Sequence, residues 1–446
     1  MRDGMNGFWR SPLGSRFSLL LSKGRWLLAI RVAIPLGIAL CIGILAFGRA
    51  AWTQQPTHVA VLIQALEGTQ WASLVREFEA QNPDIKLDVI EGPNASNLVE
   101  DLYTSSFLLG DSPYDLVYMD IVWVPKFAAA GWLMDLSDRA AQSDFSDFLT
   151  TDIDGGRYRN GLYRIPLRSD AGMLYYRTDI LEQLGAQPPD TFDELISISQ
   201  AAKQAGLADW GYVWQGRQYE GLAAMFVEIL EGFGAFWVNP ETRDVGLDSP
   251  GAIAAVDFLK RTISEGISPP GVTTYQENEA LRLFQSGNTA FMRSWPYAWA
   301  LSNTDDSLIK GKFGIKPMVH APGYNSGACQ GGWGFGISKT SRHPDEAWRV
   351  IEFFTSTDAQ RQFILESSYV PTRRSLFTDP PIVEKFSHYP ALLPVLDATV
   401  LRPPIGQYAQ ASDILQRYLS AAITGRSSPE EAMRAAAVET RRLLGT

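Results

Sequence analysis

Hydrophobic and polar positions alternate in two rhythms from residue 58 onward. Residues 58–63 alternate with period two and predict a strand. Over 69–81, Trp71, Leu74, Val75 and Phe78 recur at helical spacing, and Asn82-Pro83 ends the predicted helix. A second strand is predicted at 86–90, a helix at 94–105 capped by Asn94 or Ser96, a third strand at 114–120 and a helix at 124–130. Strand, helix, strand, helix, strand is the order of an α/β fold whose parallel sheet is covered on both faces. Ligands of such sheets sit beyond the carboxyl ends of the strands. Glu67 and Asp120 fall at two of those ends.

The pattern changes at 161–185, GLYRIPLRSDAGMLYYRTDILEQLG. It predicts a strand at 161–166, a short polar crossing at 167–171, a strand at 172–177 and a helix at 179–184. Asp170 lies in that crossing between two apolar runs, where a carboxylate must find partners or stay wet. Downstream, helices are predicted at 193–206, 223–233, 250–265 and 278–286, and strands at 210–215, 289–293 and 313–318. A second crossing is predicted at 319–323, then a strand at 335–338, helices at 345–354 and 358–366, a rigid turn at 370–373, and two last helices at 412–424 and 429–444.

Length and charge narrow the reading. The chain has 446 residues, too many for one compact core, so two lobes are expected. A net charge of -10 argues against nucleic acid as partner. Cys41 and Cys329 are the two cysteines, and Cys41 lies in the N-terminal apolar run, which argues against a structural disulfide. Four scattered histidines offer no zinc or haem site, and no metal or cofactor is expected. Before residue 57, Arg2, Arg10, Arg16, Lys23, Arg25 and Arg31 precede an apolar run over 32–47. Positive flank and apolar run are the pattern of a cleaved export signal or a retained membrane anchor, with lipidation at Cys41 behind both. Each places the chain from about residue 57 outside the cytoplasm.

Candidate chemistry is polar and aromatic. Glu67, Asp120, Asp170 and Arg373 each sit at a strand end or turn. Carboxylates and guanidinium groups grip adjacent hydroxyls, because each offers paired acceptors or a fork of donors. Trp295, Tyr297 and Trp333 stand beside Pro or Gly next to strands, and Gly332 lets a ligand approach the backbone. Flat rings suit the apolar face of a sugar. No serine elbow and no Walker loop is present. A pair drawn from Glu67, Asp120 and Asp170 could serve a secreted or anchored glycoside hydrolase, which is the alternative function.

Six segments resemble one family: 114–138, 161–185, 214–222 (WQGRQYEGL), 291–301 (FMRSWPYAWAL), 331–339 (GGWGFGISK) and 370–380 (VPTRRSLFTDP). In this order and spacing the chain resembles, over nearly all of 57–446, the sugar-binding proteins of ABC importers, of the maltose/trehalose type. The resemblance implies a type II periplasmic binding protein fold: two α/β lobes joined by three hinge crossings. Lobe 1 would hold 57–168 and 319–356, lobe 2 would hold 169–318 and 357–446, and 1–56 would be signal or anchor with its tether. It implies that Glu67, Asp120 and Asp170 take hydroxyls, that Trp295, Tyr297 and Trp333 stack on sugar rings, that Gly332 offers its backbone, and that Arg373 bonds hydroxyls from the second lobe. Gln215 and Tyr219 lie in a matching segment without an assigned role. It also implies a monomer that delivers a glucoside or disaccharide (of the trehalose, maltose, sucrose or glucosylglycerol class) to a membrane permease and its ATPase. Relatives that take disaccharides often carry an aromatic two residues before the aspartate, where this chain has Arg168, so a glucosyl-polyol enters the ligand class.

Overall fold

The computed structural model describes residues 55–94 and 96–446. The expected signal or anchor falls on residues outside these. Among the described residues no helix is long and apolar enough to cross a membrane.

The first α/β half begins as the alternation predicts. β1 (Thr57–Gln64) is followed by a 3₁₀ turn, Ala65–Glu67, and by α1 (Gly68–Gln81). Trp71, Leu74 and Phe78 are the buried face of α1, and the Asn82 side chain closes its end by donating to the Phe78 carbonyl at 2.9 Å. β2 (Ile85–Gly92), α2 (Ser96–Leu108), β3 (Leu116–Asp120) and α3 (Val124–Ala129) complete the run. β1 lies between β2 and β3, parallel to both.

The expected polar crossing at 167–171 is itself strand. β4 (Ile165–Ala171) runs without interruption through Arg168, Ser169 and Asp170, and only Gly172 separates it from β5 (Met173–Arg177). Its polar side chains are tolerated because they have partners: Arg168 reaches Glu67 at 3.0 Å, and the Ser169 hydroxyl accepts from the Gln330 amide at 3.3 Å. After α4 (Phe192–Gln204), begun by a Thr191/Glu194 capping box, come β6 (Trp210–Val213), α5 (Glu220–Gly232) and α6 (Pro250–Ser264). α7 (Glu277–Gln285), β7 (Thr289–Ser294), α8 (Tyr297–Ser302) and β8 (Phe313–Lys316) follow. The second sheet has the order β8-β5-β7-β6, with β6 parallel to β7 and the rest antiparallel.

The second predicted crossing, 319–323, stays with this sheet's helices. His320 bridges to Thr191, and the Ala321 amide donates to the Gly232 carbonyl at 2.7 Å. The passage is made instead by β9 (Ala328–Ile337), which absorbs the glycine-rich stretch into one buried strand. β9 pairs antiparallel with both β3 and β4. Its register shifts between Trp333 and Gly334, opposite Pro166, a residue with no amide to donate. Gly332 has φ +111°, and a Cβ there would lie 2.6 Å from the Arg168 carbonyl oxygen, so only glycine fits. The chain ends with α9 (Pro344–Phe354), α10 (Thr357–Ser367), the short β10 (Thr399–Val400) parallel to β9, α11 (Tyr408–Ile423) and α12 (Pro429–Leu444).

Two separate cores result. One gathers β1, β2, β3 and α1 with Phe335 and Phe354, around Trp71, whose ring lies 5.0 Å from Tyr118 and 5.5 Å from Phe335. The other gathers β5, β6, β7, α5 and the C-terminal helices. β4 enters the first core at Ile165 and Leu167 and the second at Ala171. β9 does the same in reverse, with Ala328 in the second core and Phe335 in the first.

Candidate functional site

Six of the sequence-predicted residues meet here, four at or just beyond strand ends and two, Gly332 and Trp333, within β9. Asp120 ends β3, where its carboxylate accepts the Val122 amide at 3.2 Å. Asp170 is on β4, facing Gly331 across the β4–β9 ladder, and Trp333 faces Asp120 across the β9–β3 ladder. Trp295 follows β7 and Tyr297 opens α8. Together with Gly332 they line a cavity of about 530 Å³. Trp333 is mostly built into the first core, 5.0 Å from Tyr118 and 5.1 Å from Trp123, with only 6% of its surface open.

Glu67 lines a neighbouring cavity of about 550 Å³, which shares Asp170, Tyr297 and Arg168 with the first. The Glu67 side chain is wholly buried, and its second carboxylate oxygen has no partner. Arg373 is in neither cavity. Extended backbone pairs it with Phe148, and its Nε donates to the Thr355 carbonyl at 2.8 Å. Its guanidinium lies 4.3 Å from the Phe148 ring and 3.8 Å from Asp147, in a separate hollow of about 310 Å³. The role expected of Arg373 in gripping ligand is therefore not carried into the site. Gln215 is buried and exchanges bonds with Arg293, whereas Tyr219 lines the first cavity.

Residues that sequence reasoning did not single out complete the walls. Arg402 is 7% exposed; it donates to Glu220 at 2.8 Å and to the Gln330 carbonyl at 3.3 Å, and its Nη2 lies 3.5 Å from Asp120. Its Nε has no partner. In the sequence it is one arginine before Pro403-Pro404, with nothing to mark it. Glu277 begins α7 and accepts the Trp295 indole N–H at 3.4 Å. Beneath Trp295, Arg293 and Glu228 form a wholly buried pair, with Nε to carboxylate at 2.9 Å, and the guanidinium lies 4.1 Å from the Trp295 ring. A side chain at Gly172 would collide with the Glu228 carboxylate, which explains the glycine between β4 and β5.

The charged groups of the site are mostly acids. Asp120, Asp170, Glu67, Glu220 and Glu277 face Arg168 and Arg402, so acceptors outnumber donors. Burial pushes the Asp170 carboxyl up to about 6, opposed by the guanidinium groups of Arg168 and Arg293. Among the described residues no group of three His, Cys, Asp or Glu side chains could hold a metal ion. A larger groove, about 1350 Å³, runs between α11 and α12, where Arg417 pairs with Glu439 at 2.7 Å and the Tyr418 hydroxyl donates to Glu439 at 2.9 Å. It has no unmet hydrogen-bonding need comparable to that of the cleft.

Two α/β lobes with acids and aromatic rings brought to a shared cleft define a receptor for a small solute. Residues 64–361 match the model of the bacterial extracellular solute-binding proteins, and the chain belongs to that family. It is similar to a probable ABC transporter-binding protein of Deinococcus radiodurans, at 29% identity over 80% of this chain and 86% of that one. The mannitol-binding protein of Pseudomonas aeruginosa is 25% identical over 83% of this chain and 88% of its own length. Among solved structures, the maltose-bound MalE3 of T. maritima superposes with a TM-score of 0.79 and 35% identity, over 87% of this chain and all of that one. Family membership makes the chain the binding component of an importer, working outside the cytoplasm, and not an enzyme, so the glycoside hydrolase reading falls.

Proposed function

We propose that the protein captures a neutral, polyhydroxylated ligand in the cleft and presents it to a membrane permease driven by an ATPase. A glucoside or disaccharide of the trehalose, maltose, sucrose or glucosylglycerol class suits the cleft. The observation that carries this is the convergence of Asp120, Asp170 and Glu277 with Trp295, Tyr297 and Trp333 on one cavity. Acceptors in pairs take adjacent hydroxyls, and the indole of Trp295, fixed by Glu277 and Arg293, offers a face to a ring. Asp170, Trp295, Tyr297, Trp333, Asp120, Gly332 and Glu67 are the proposed ligand residues. A polyol is the second reading, favoured by the 25% identity to a mannitol-binding protein.

The lobes proposed are 57–168 with β9 to α10, and 169–327 with the chain after α10; the expected bounds of 319–356 and 357–446 move because Val319 packs in the second core and Phe363 in the first. We assign two of the three hinge crossings to β4 and β9. Ligand contacts made from both lobes at once would favour the closed form, which the permease reads. Residues 1–56 would export the chain or tether it to the membrane, and the receptor would act as a monomer. A thermal-shift screen of the purified protein against maltose, trehalose, sucrose, glucosylglycerol, mannitol and monosaccharides tests the reading. At least one should raise the midpoint, because a ligand that binds only the folded form stabilises it. No shift with any of them, at millimolar concentration, would overturn it.

A further inference from the structure

The two cavities of the cleft share a wall, and Arg168 stands in it. Its side chain is 10% exposed and is held from several directions. Nε donates to the Tyr118 hydroxyl at 3.1 Å and Nη2 to Glu67 at 3.0 Å, while Nη1 lies 3.8 Å from Asp170. The guanidinium carbon lies 4.6 Å from the Tyr369 ring and 5.5 Å from the Trp333 ring. These partners come from β3, β4, β9, the turn before α1 and the segment after α10. A free arginine loses much rotamer entropy when a ligand fixes it. Here the fold has fixed it already, so it acts as a rigid part of the site.

The compartments on its two sides differ. The first holds Trp295, Asp120 and Glu277. The second has Leu301, 43% exposed, at its rim over a floor of Glu67 and Arg168, while Leu66 lines both. We propose that Arg168 is a specificity-determining partition. Its guanidinium divides the cleft so that the ligand is a two-unit molecule, a sugar ring in the first compartment joined to one further small unit in the second. Linear saccharides of three or more rings are disfavoured, because the chain cannot run straight through the guanidinium. Glu67 and Asp170, two carboxylates against one guanidinium, more than offset Arg168, so the partition does not draw in an anionic sugar. This inference rests on the carbohydrate reading of the cleft.

Calorimetry with mannitol, maltose and maltotriose tests it on the full protein and two variants. Wild type should bind maltose at least about tenfold more tightly than maltotriose. Arg168→Met combined with Glu67→Gln removes both charges of the pair and should move that ratio at least about tenfold toward maltotriose. Arg168→Lys keeps the charge but loses the fork and the ring contacts, and should move it about threefold the same way. If the double variant fails to fold, as judged by its melting curve, the lysine variant decides. An unchanged ratio in the folded variants, or a wild-type preference for maltotriose, overturns the partition and leaves the carbohydrate site standing. A wild type that takes mannitol alone overturns the two-unit ligand. Binding of none of the three overturns the partition, and the carbohydrate site falls with it only if the thermal screen is silent as well.

Discussion

Trp295 shows how a single side chain becomes a binding surface. Its indole N–H reaches Glu277, and a guanidinium that is itself buried and paired lies under its ring. The ring is thus set in place before ligand arrives, and binding need not order it. Trp295→Ala should weaken the saccharide found by the thermal screen by about 2–4 kcal/mol in calorimetry, the range of strong hot spots. A loss under about 0.5 kcal/mol would remove Trp295 from the site. The support beneath it predicts a stability effect. Glu228→Ala leaves Arg293 charged and unpaired where no water reaches, and should cost about 3–5 kcal/mol in urea unfolding. A cost below about 1 kcal/mol would show that Gln215 and solvent take over the partnership.

At the scale of elements, the first sheet was legible because each strand and helix repeats one rhythm, as 58–63 and 69–81 do. What resisted reading was charge placed in strands. Arg168, Ser169 and Asp170 look like a loop until their partners on the Glu67 turn and β9 are known, and those partners are far away in sequence. Arg402 was invisible for the same reason: its meaning comes from Asp120 and from Glu220, the nearer of the two at 182 residues before it. Arg373 misled in the opposite sense, since its motif is present while its side chain turns toward Phe148. Gly331, Gly332 and Gly334 belong to a strand under close approach, although the predicted strand begins only at 335. Gly332→Ala should therefore cost about 1–3 kcal/mol and lower the thermal midpoint, because φ is positive and the Arg168 carbonyl blocks a Cβ. A wild-type midpoint would mean that β9 relaxes around the methyl group.

Across the whole molecule, two carboxyls tie stability to pH, Asp152 wholly buried and Asp170 half-buried in the cleft. Burial pushes Asp152 up to about 7, against the pull of Arg164, and Asp170 up to about 6. Both values lie above those of an unfolded chain. Their contribution is therefore complete below about pH 4 and is lost as pH rises through 6 and 7. Asp152→Asn should flatten the fall in unfolding free energy between about pH 4.5 and 8 in denaturant titrations. An unchanged slope would assign the titration to other groups. Asp152 also accepts from Gln330 at 3.0 Å, and so sits where β4 and β9 run side by side from one core to the other. Two beams fastened along their length cannot flex separately. The proposed swing of one lobe against the other would bend these two strands together, as a single leaf spring.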